Sequence, residues 1–209
     1  MKTQIFPINE LSETQAAEIA RAINAGAVAA VATDTVYGLA ANAFDEQAVS
    51  RIYTLKERPA GMPLQILLDS AQTAARLTRW NAAAARLAEA YWPGALTLIL
   101  PASQEGENLL RGAKGLGLRV PNHAGLLQVL KVLQQPLACT SANVHSQPVI
   151  TQERELIDFA DGKVELILTG GDLSPVASSV LDMTGEPVLL REGALSRVQL
   201  ETVLQQPIK

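Results

Sequence analysis

Four short polar segments carry the residue types that could do chemistry. They are Thr33-Asp34-Thr35-Val36-Tyr37-Gly38, Lys56-Glu57-Arg58-Pro59, Thr140-Ser141-Ala142-Asn143, and Ser178-Ser179 with Arg191 downstream. Lys56 and Arg58 suit a polyphosphate, one as a compact point charge and the other as a planar fork. The competing reading of that pair is a solvated helix end, where cations meet the last carbonyls. Thr33 and Thr35 offer hydroxyls to a small polar ligand or to phosphate oxygens; alternatively they satisfy their own turn. Asp34 could cap, orient a cation or meet a metal. Ser141 and Asn143, with nearby backbone N–H groups, can cradle a phosphate or bond a nucleotide. An ordinary turn is the alternative there.

Other chemistries find little support. Ser141 lacks a G-x-S-x-G elbow. Cys139 lies in an apolar run and reads as core. His123 and His145 fall in no metal-ligand spacing, and His123 reads as a structural hydrogen-bonding group, so no metal is expected from protein ligands. There is no G-x-x-x-x-G-K-[ST], and Gly115-Leu116-Gly117 precedes a strand pattern rather than a helix. Nucleotide binding therefore needs another architecture. Arg111, Gly112, Lys114 and Arg119 form a modest basic patch without interleaved aromatics, read mainly as solvated loop.

The elements that must position these segments follow from periodicity and caps. A helix is predicted over 11–26, with Ser12 and Gln15 as a capping box, Leu11 and Ala16 as a staple, and Gly26 just past the end. Ala27 to Ala32 reads as a buried strand. Asp45 caps a second helix with Val49, Ile52 and Tyr53 on its apolar face, and 56–63 reads as a loop. Strands are predicted over 64–68, 96–100, 116–120, 137–140, 164–168, 176–181 and 188–190. Helices are predicted over 70–78, 82–91, 124–134 (Leu127, Leu130 and Leu126 inward), from Thr151 as cap to Ala160, and after Ser196. The polar stretch 101–115 reads as a mobile loop. Alternating strands and helices indicate an α/β fold with a mixed sheet. Ligands of open α/β sheets bind beyond strand ends, so the polar segments can converge on one crevice.

Composition narrows the class. The chain has 209 residues, 48% hydrophobic and 18% charged, and reads as one domain over 1–209. A net charge of -4 argues against tight non-specific binding to a nucleic-acid backbone. One cysteine fits a reducing compartment. Met1 to Asn9 does not read as a signal peptide, and no apolar run is long enough for a membrane helix, so a cytoplasmic location is expected.

Together these motifs resemble the YrdC-like threonylcarbamoyl-AMP synthases, in their short single-domain form. The resemblance is carried by the Thr33 to Leu39 and Lys56 to Pro59 segments, Pro63-Leu64, and Trp92-Pro93-Gly94 leading into Leu96-Thr97-Leu98. It continues through Leu118-Arg119-Val120-Pro121-Asn122-His123, Thr140 to Asn143, Ser178 to Asp182 and Leu190-Arg191-Glu192-Gly193. The resemblance implies a twisted, open, mixed sheet flanked by helices, with a large concave, positively charged cavity. It implies that L-threonine, bicarbonate or CO2, and ATP with Mg2+ give L-threonylcarbamoyl-AMP and pyrophosphate. A transferase complex would then modify adenosine 37 of tRNA. By the same resemblance Lys56 and Arg58 are catalytic and contact phosphates, and Ser141, Asn143 and Arg191 complete the nucleotide site. Thr35, Tyr37 and Ser179 hold threonine, Ser179 standing where the family usually has Thr.

Some positions depart from the family pattern. Ala32 replaces a common Pro, Met62 a frequent Lys, and Val144-His145-Ser146-Gln147 a hydrophobe-Ser-Gly run. A second reading is therefore a paralogue that binds RNA or ribosomal particles and assists their maturation without this chemistry. Weak tRNA or RNA contact is a secondary expectation of either reading.

Overall fold

The structure, a computed structural model, describes residues 2–59, 61–174 and 176–209. Strand β1 (Gln4–Pro7) precedes helix α1 (Glu13–Asn24), whose capping box is formed by Ser12 and Gln15 as expected. Ala16, Ile19, Ala20 and Ile23 recur at helical spacing and are buried. Strands β2 (Ala29–Val31) and β3 (Gly38–Asn42) flank the threonine turn. Helix α2 (Glu46–Leu55) is capped by Asp45, whose carboxylate accepts from Ala48 N–H at 2.9 Å.

Strand β4 (Gln65–Leu67), helices α3 (Ala71–Leu77) and α4 (Ala82–Tyr91), and strands β5 (Leu96–Leu100) and β6 (Leu116–Arg119) follow. Next come α5 (Ala124–Leu133), β7 (Leu137–Ser141), α6 (Glu153–Ala160), β8 (Leu166–Thr169), β9 (Ser179–Asp182), β10 (Val188–Arg191) and α7 (Arg197–Leu204).

The strands form one ten-stranded open sheet in the order β1-β8-β2-β3-β7-β4-β6-β5-β9-β10. It is mixed: β1 and β2 run parallel to β8, β4 to β6, and β5 to β9, while the other neighbours are antiparallel.

Several local expectations need correcting. β1 and β3 lie outside the predicted strands. The residues of β3, Gly-Leu-Ala-Ala-Asn, have little intrinsic strand preference, and pairing with β2 and β7 imposes the conformation. In α5 the buried residues are Gly125, Leu126, Val129, Leu130 and Leu133, and Leu127 is only partly buried. Thr151 does not cap α6; Gln152 is the N-cap without a side-chain bond, and the Asp172 carboxylate accepts from Glu153 N–H at 3.1 Å. The predicted strand 176–181 begins only at Ser179. The first half of 101–115 is anchored: Ser103 N–H donates to Leu77 O at 3.0 Å, and Leu109 is buried in a 3-10 turn. Arg119 is 2% exposed on β6, so it does not belong to a solvated patch.

Register determines which residues meet the site. Paired residues share a face, so Gly38, Ser141, Cys139, Gln65, Gly117, Arg119, Thr97, Ile99, Val180 and Asp182 all project to one side of the sheet. Leu39, Ile66, Leu118, Leu96, Leu98 and Leu181 project to the other and are buried in the core.

Candidate active site

The polar face of the sheet is the floor of a cavity of about 520 Å³. That volume lies within the roughly 300–1,000 Å³ typical of ligand sites. The cavity spreads across the face from β3 to β10 rather than sitting only beyond strand ends. Gly38 and Gly117 help to leave the space open. Arg58, Lys114, Arg119 and Arg191 line it, and Asp182 is the acidic residue among the described lining residues.

The Lys56–Arg58 spacing is the geometry of a helix end. Glu57 takes φ 52. Glu57 N–H donates to Thr54 O at 3.1 Å, and Arg58 N–H to Tyr53 O at 3.0 Å. This is a Schellman ending, with Lys56 as the C-cap. It sends the two side chains to different places. Arg58 lines the cavity, donating from Nη2 to Pro63 O at 3.0 Å. Its Nε is buried without a partner among the described residues, an arrangement that favours an incoming acceptor.

Lys56 is 1% exposed and does not line the cavity. Its ammonium donates to Asn143 O at 2.8 Å, to Asn143 Oδ1 at 2.9 Å and to Ser141 O. Those three acceptors match its three protons. Burial, then the Arg58 charge, lowers its pKa to about 8. Lys56 thus stands behind the cavity wall and fastens the end of β7. Asn143 is equally occupied, its amide donating to Val144 O at 2.9 Å and Gln147 O at 2.7 Å. Ser141 lines the cavity and donates its hydroxyl proton to Asn143 Oδ1 at 2.6 Å, leaving Oγ as an acceptor.

The threonine turn is polarised in one direction. Thr33 donates its hydroxyl proton to Val36 O at 2.7 Å. Thr35, 3.0 Å away, must therefore donate to Thr33. Thr35 Oγ1 in turn accepts from Arg119 Nη1–H at 3.0 Å. One lone pair of Thr35 remains, which suits an N–H or O–H donor on a ligand. Arg119 is fixed by Asp34 Oδ1 at 2.6 Å and Gly94 O at 2.9 Å, so Asp34 serves to orient a cation. Tyr37 contributes to the lining, but its hydroxyl faces elsewhere: it donates to Gly171 O at 2.6 Å, and burial raises its pKa.

Strand parity separates Ser178 from Ser179. Val180 and Asp182 project into the cavity, so Ser179 projects to the other face and is 0% exposed. Ser179 Oγ donates to Leu195 O at 2.6 Å and accepts from Gly193 N–H at 2.9 Å, tying down the loop after β10. Ser178 lines the cavity instead, 3.0 Å from Thr97 and 3.1 Å from Arg191 Nη2. Gln65 Nε2–H donates to Thr97 Oγ1, so Gln65, Thr97, Ser178 and Arg191 form a continuous polar strip. With Gln65 and Arg191 as donors, one hydroxyl proton of the strip is left for a ligand. Burial, then the Arg119 charge, lowers the Arg191 pKa.

Gln65, Thr97, Arg119 and Asp182 were missed as site residues at the level of sequence, and of the Ser178-Ser179 pair the motif match chose Ser179. Their signal was present in Leu96-Thr97-Leu98 and Leu116-Gly117-Leu118-Arg119, where polar or small residues alternate with Leu.

Residues 21–193 match a family model described as telomere recombination, for Sua5, YciO and YrdC proteins. The threonylcarbamoyl-AMP synthase of Pyrococcus abyssi is 38% identical over 87% of this chain and 55% of its own length. That of Bacillus subtilis is 34% identical over 98% of this chain and 62% of its own length. The chain thus spans less than two thirds of these relatives. The structure of P. abyssi Sua5 complexed with L-threonine aligns with a TM-score of 0.90 at 36% identity, over 99% of this chain and 62% of that one. E. coli YciO aligns with a TM-score of 0.87 at 25% identity, over 95% of this chain and 99% of that one. With the family model covering most of its length and these likenesses in sequence and fold, the chain belongs to the Sua5/YciO/YrdC family.

Proposed function

We propose that the chain is an L-threonylcarbamoyladenylate synthase that converts L-threonine, bicarbonate or CO2, and ATP into threonylcarbamoyl-AMP and pyrophosphate. The observation that carries this reading is the cavity itself. It brings a hydroxyl with a spare acceptor position, at Thr35, together with Arg58, Arg119, Arg191 and Lys114. Such a surface suits a ligand with an amine donor at one place and several anionic oxygens at others.

In this reading the threonine amine loses a proton and attacks CO2, forming a carbamate. A carbamate oxygen then forms a bond to the α-phosphorus of ATP, and the bond to pyrophosphate breaks. No protein nucleophile is required. The guanidinium groups of Arg58 and Arg191 address charge on the phosphoryl oxygens and the leaving group. Arg119 and Thr35 hold the amino acid, and the strip through Thr97 and Ser178 supplies a hydroxyl donor. Holding both partners together supplies much of the rate.

Lys56 acts here through Ser141 and Asn143, as a positioning residue. Mg2+ arrives with ATP, held mainly by phosphate oxygens. Among the described residues no group of three His, Cys, Asp or Glu side chains could hold an ion. Among the described residues no helix is long and apolar enough to cross a membrane. The reaction is assigned to the cytoplasm, with a partner transferase complex passing the product to adenosine 37 of tRNA.

The test is to incubate the protein with ATP, Mg2+, L-threonine and bicarbonate, following pyrophosphate and the mass of the adenylate together. Product that requires both threonine and bicarbonate supports the synthase. Folded protein that binds ATP yet makes none favours the RNA-binding paralogue, whose RNA affinity should weaken steeply with salt.

A further inference from the structure

A second concavity of about 360 Å³ lies between α3, α4 and the segment entering β5, and it shares no lining residue with the substrate cavity. Trp80 and Trp92 form its aromatic wall, with ring centroids 6.1 Å apart and planes inclined by 37°. Trp92 is held in place by its indole N–H, which donates to Leu96 O at 2.7 Å. Asp69 and Glu89 also line the groove, and among the described lining residues every charged side chain is acidic. Asp69 Oδ1 accepts from the hydroxyls of Ser70 and Thr73, at 3.2 and 2.6 Å. Glu89 is exposed and makes no ion pair among the described residues.

We propose that this groove is a docking site for an arginine side chain presented by a protein partner. A guanidinium can lie on an indole face while its N–H fork reaches a carboxylate. An ammonium is a poorer match, because it stacks less well and holds its water more tightly. Pro93 and Ala85 offer apolar surface for the aliphatic stem and for the residues beside it. The acidic rim repels a phosphate backbone, which selects protein over RNA as the occupant. Because the groove and the substrate cavity are separate, the partner can dock while the cavity stays open.

The chain holds two tryptophans, and both line this groove, so the two indole N–H signals of the 15N-labelled full chain report on it directly. The probe is the capped tripeptide Gly-Arg-Gly, with its citrulline counterpart as an uncharged isostere. Both indole signals should move with the arginine peptide in the millimolar range and stay still with citrulline. Glu89→Gln keeps the shape of an exposed side chain and should weaken binding about fivefold. Trp80→Leu should abolish the response of Trp92. The proposal fails if citrulline shifts the signals as strongly, or if Glu89→Gln binds the peptide with unchanged affinity. It also fails if spermidine displaces the peptide at equal concentration, which would make the groove a polyamine site. Signals that move on concentrating the protein alone would assign the groove to a second copy and overturn a separate partner.

Discussion

Replacing Lys56 by methionine tests how the site is held. Methionine keeps an unbranched stem of similar length and removes only the ammonium. Three acceptors, Ser141 O, Asn143 O and Asn143 Oδ1, then lose their donor in a position that is 1% exposed. A hydrogen bond to a charged group contributes about 1.5–3 kcal/mol, so three contribute about 4.5–9 kcal/mol. Burial and the Arg58 charge act against them. They lower the Lys56 pKa from 10.5 to about 8, so the net gain from the ammonium is much smaller than that sum. Removing one partner of a buried charged network leaves its acceptors unpaired, so Lys56→Met is expected to lose about 3 kcal/mol of stability.

Urea unfolding at pH 7 reads that loss directly, and the melting temperature should fall by about 6–12 °C. Pyrophosphate release, measured at a temperature where both proteins are folded, reads the function. The expected pattern is a lower turnover with a smaller change in the apparent KM for ATP, because Lys56 acts through Ser141 and the 141–143 turn. Two results would refute this reasoning. A variant as stable as the parent would mean that the buried charge gives no net stabilisation. A stable variant whose only defect is in ATP affinity would make Lys56 a direct phosphate ligand.

Three further perturbations follow from the geometry. His123 caps α5 by accepting from Leu126 N–H through Nδ1, and burial lowers its pKa; the fold therefore prefers the neutral ring. Its contribution is fully present above the unfolded pKa of about 6.5 and is lost as pH falls through the folded value. Urea midpoints at pH 7 and pH 5 should differ less in His123→Asn, and an identical pH dependence would contradict the assignment. Ser146 sits at φ 65, in the left-handed region that favours glycine. Ser146→Gly should raise stability by about 0.5–1 kcal/mol by relieving left-handed strain, as calorimetric melting can check. A Cβ on Gly117 would lie 3.6 Å from Thr97 Cγ2, an ordinary contact, with the rest of the side chain in the cavity. Gly117→Val should change the melting temperature little while weakening ATP binding by at least about tenfold; calorimetric titration with unchanged affinity would move the nucleotide off this face.

Much of the architecture was legible because local rules and global packing agree. Ser12, Gln15 and Asp45 announce helix starts whose caps form as read. The alternation of strands and helices implied the mixed sheet, and the polar segments do meet around one cavity. What escaped is what only long-range pairing decides. The small residues of β3 become strand through two neighbours. Arg119 looked like part of a charged loop, because Asp34 and Thr35, the partners that allow its burial, are about eighty positions away in the chain.

Ser179 and Ser178 show most clearly where sequence reading ends. They are adjacent and identical in type, and a motif match cannot say which faces the ligand. The decision comes from the pairing of β9 with β5, which sets Thr97 beside Val180 and thereby turns Ser179 to the far side. A one-residue change of register would exchange the two roles. The same parity explains why the site extends across the sheet face instead of ending at the strand tips. Thr97, Gly117 and Arg119 occupy positions that would hold Leu or Val if this face were packed by another element. Each polar residue there is bonded, by Gln65 and Ser178 for Thr97 and by Asp34, Thr35 and Gly94 for Arg119. Polar positions that alternate with leucines inside a strand therefore mark the floor of this cavity, while the loop motifs mark its rim.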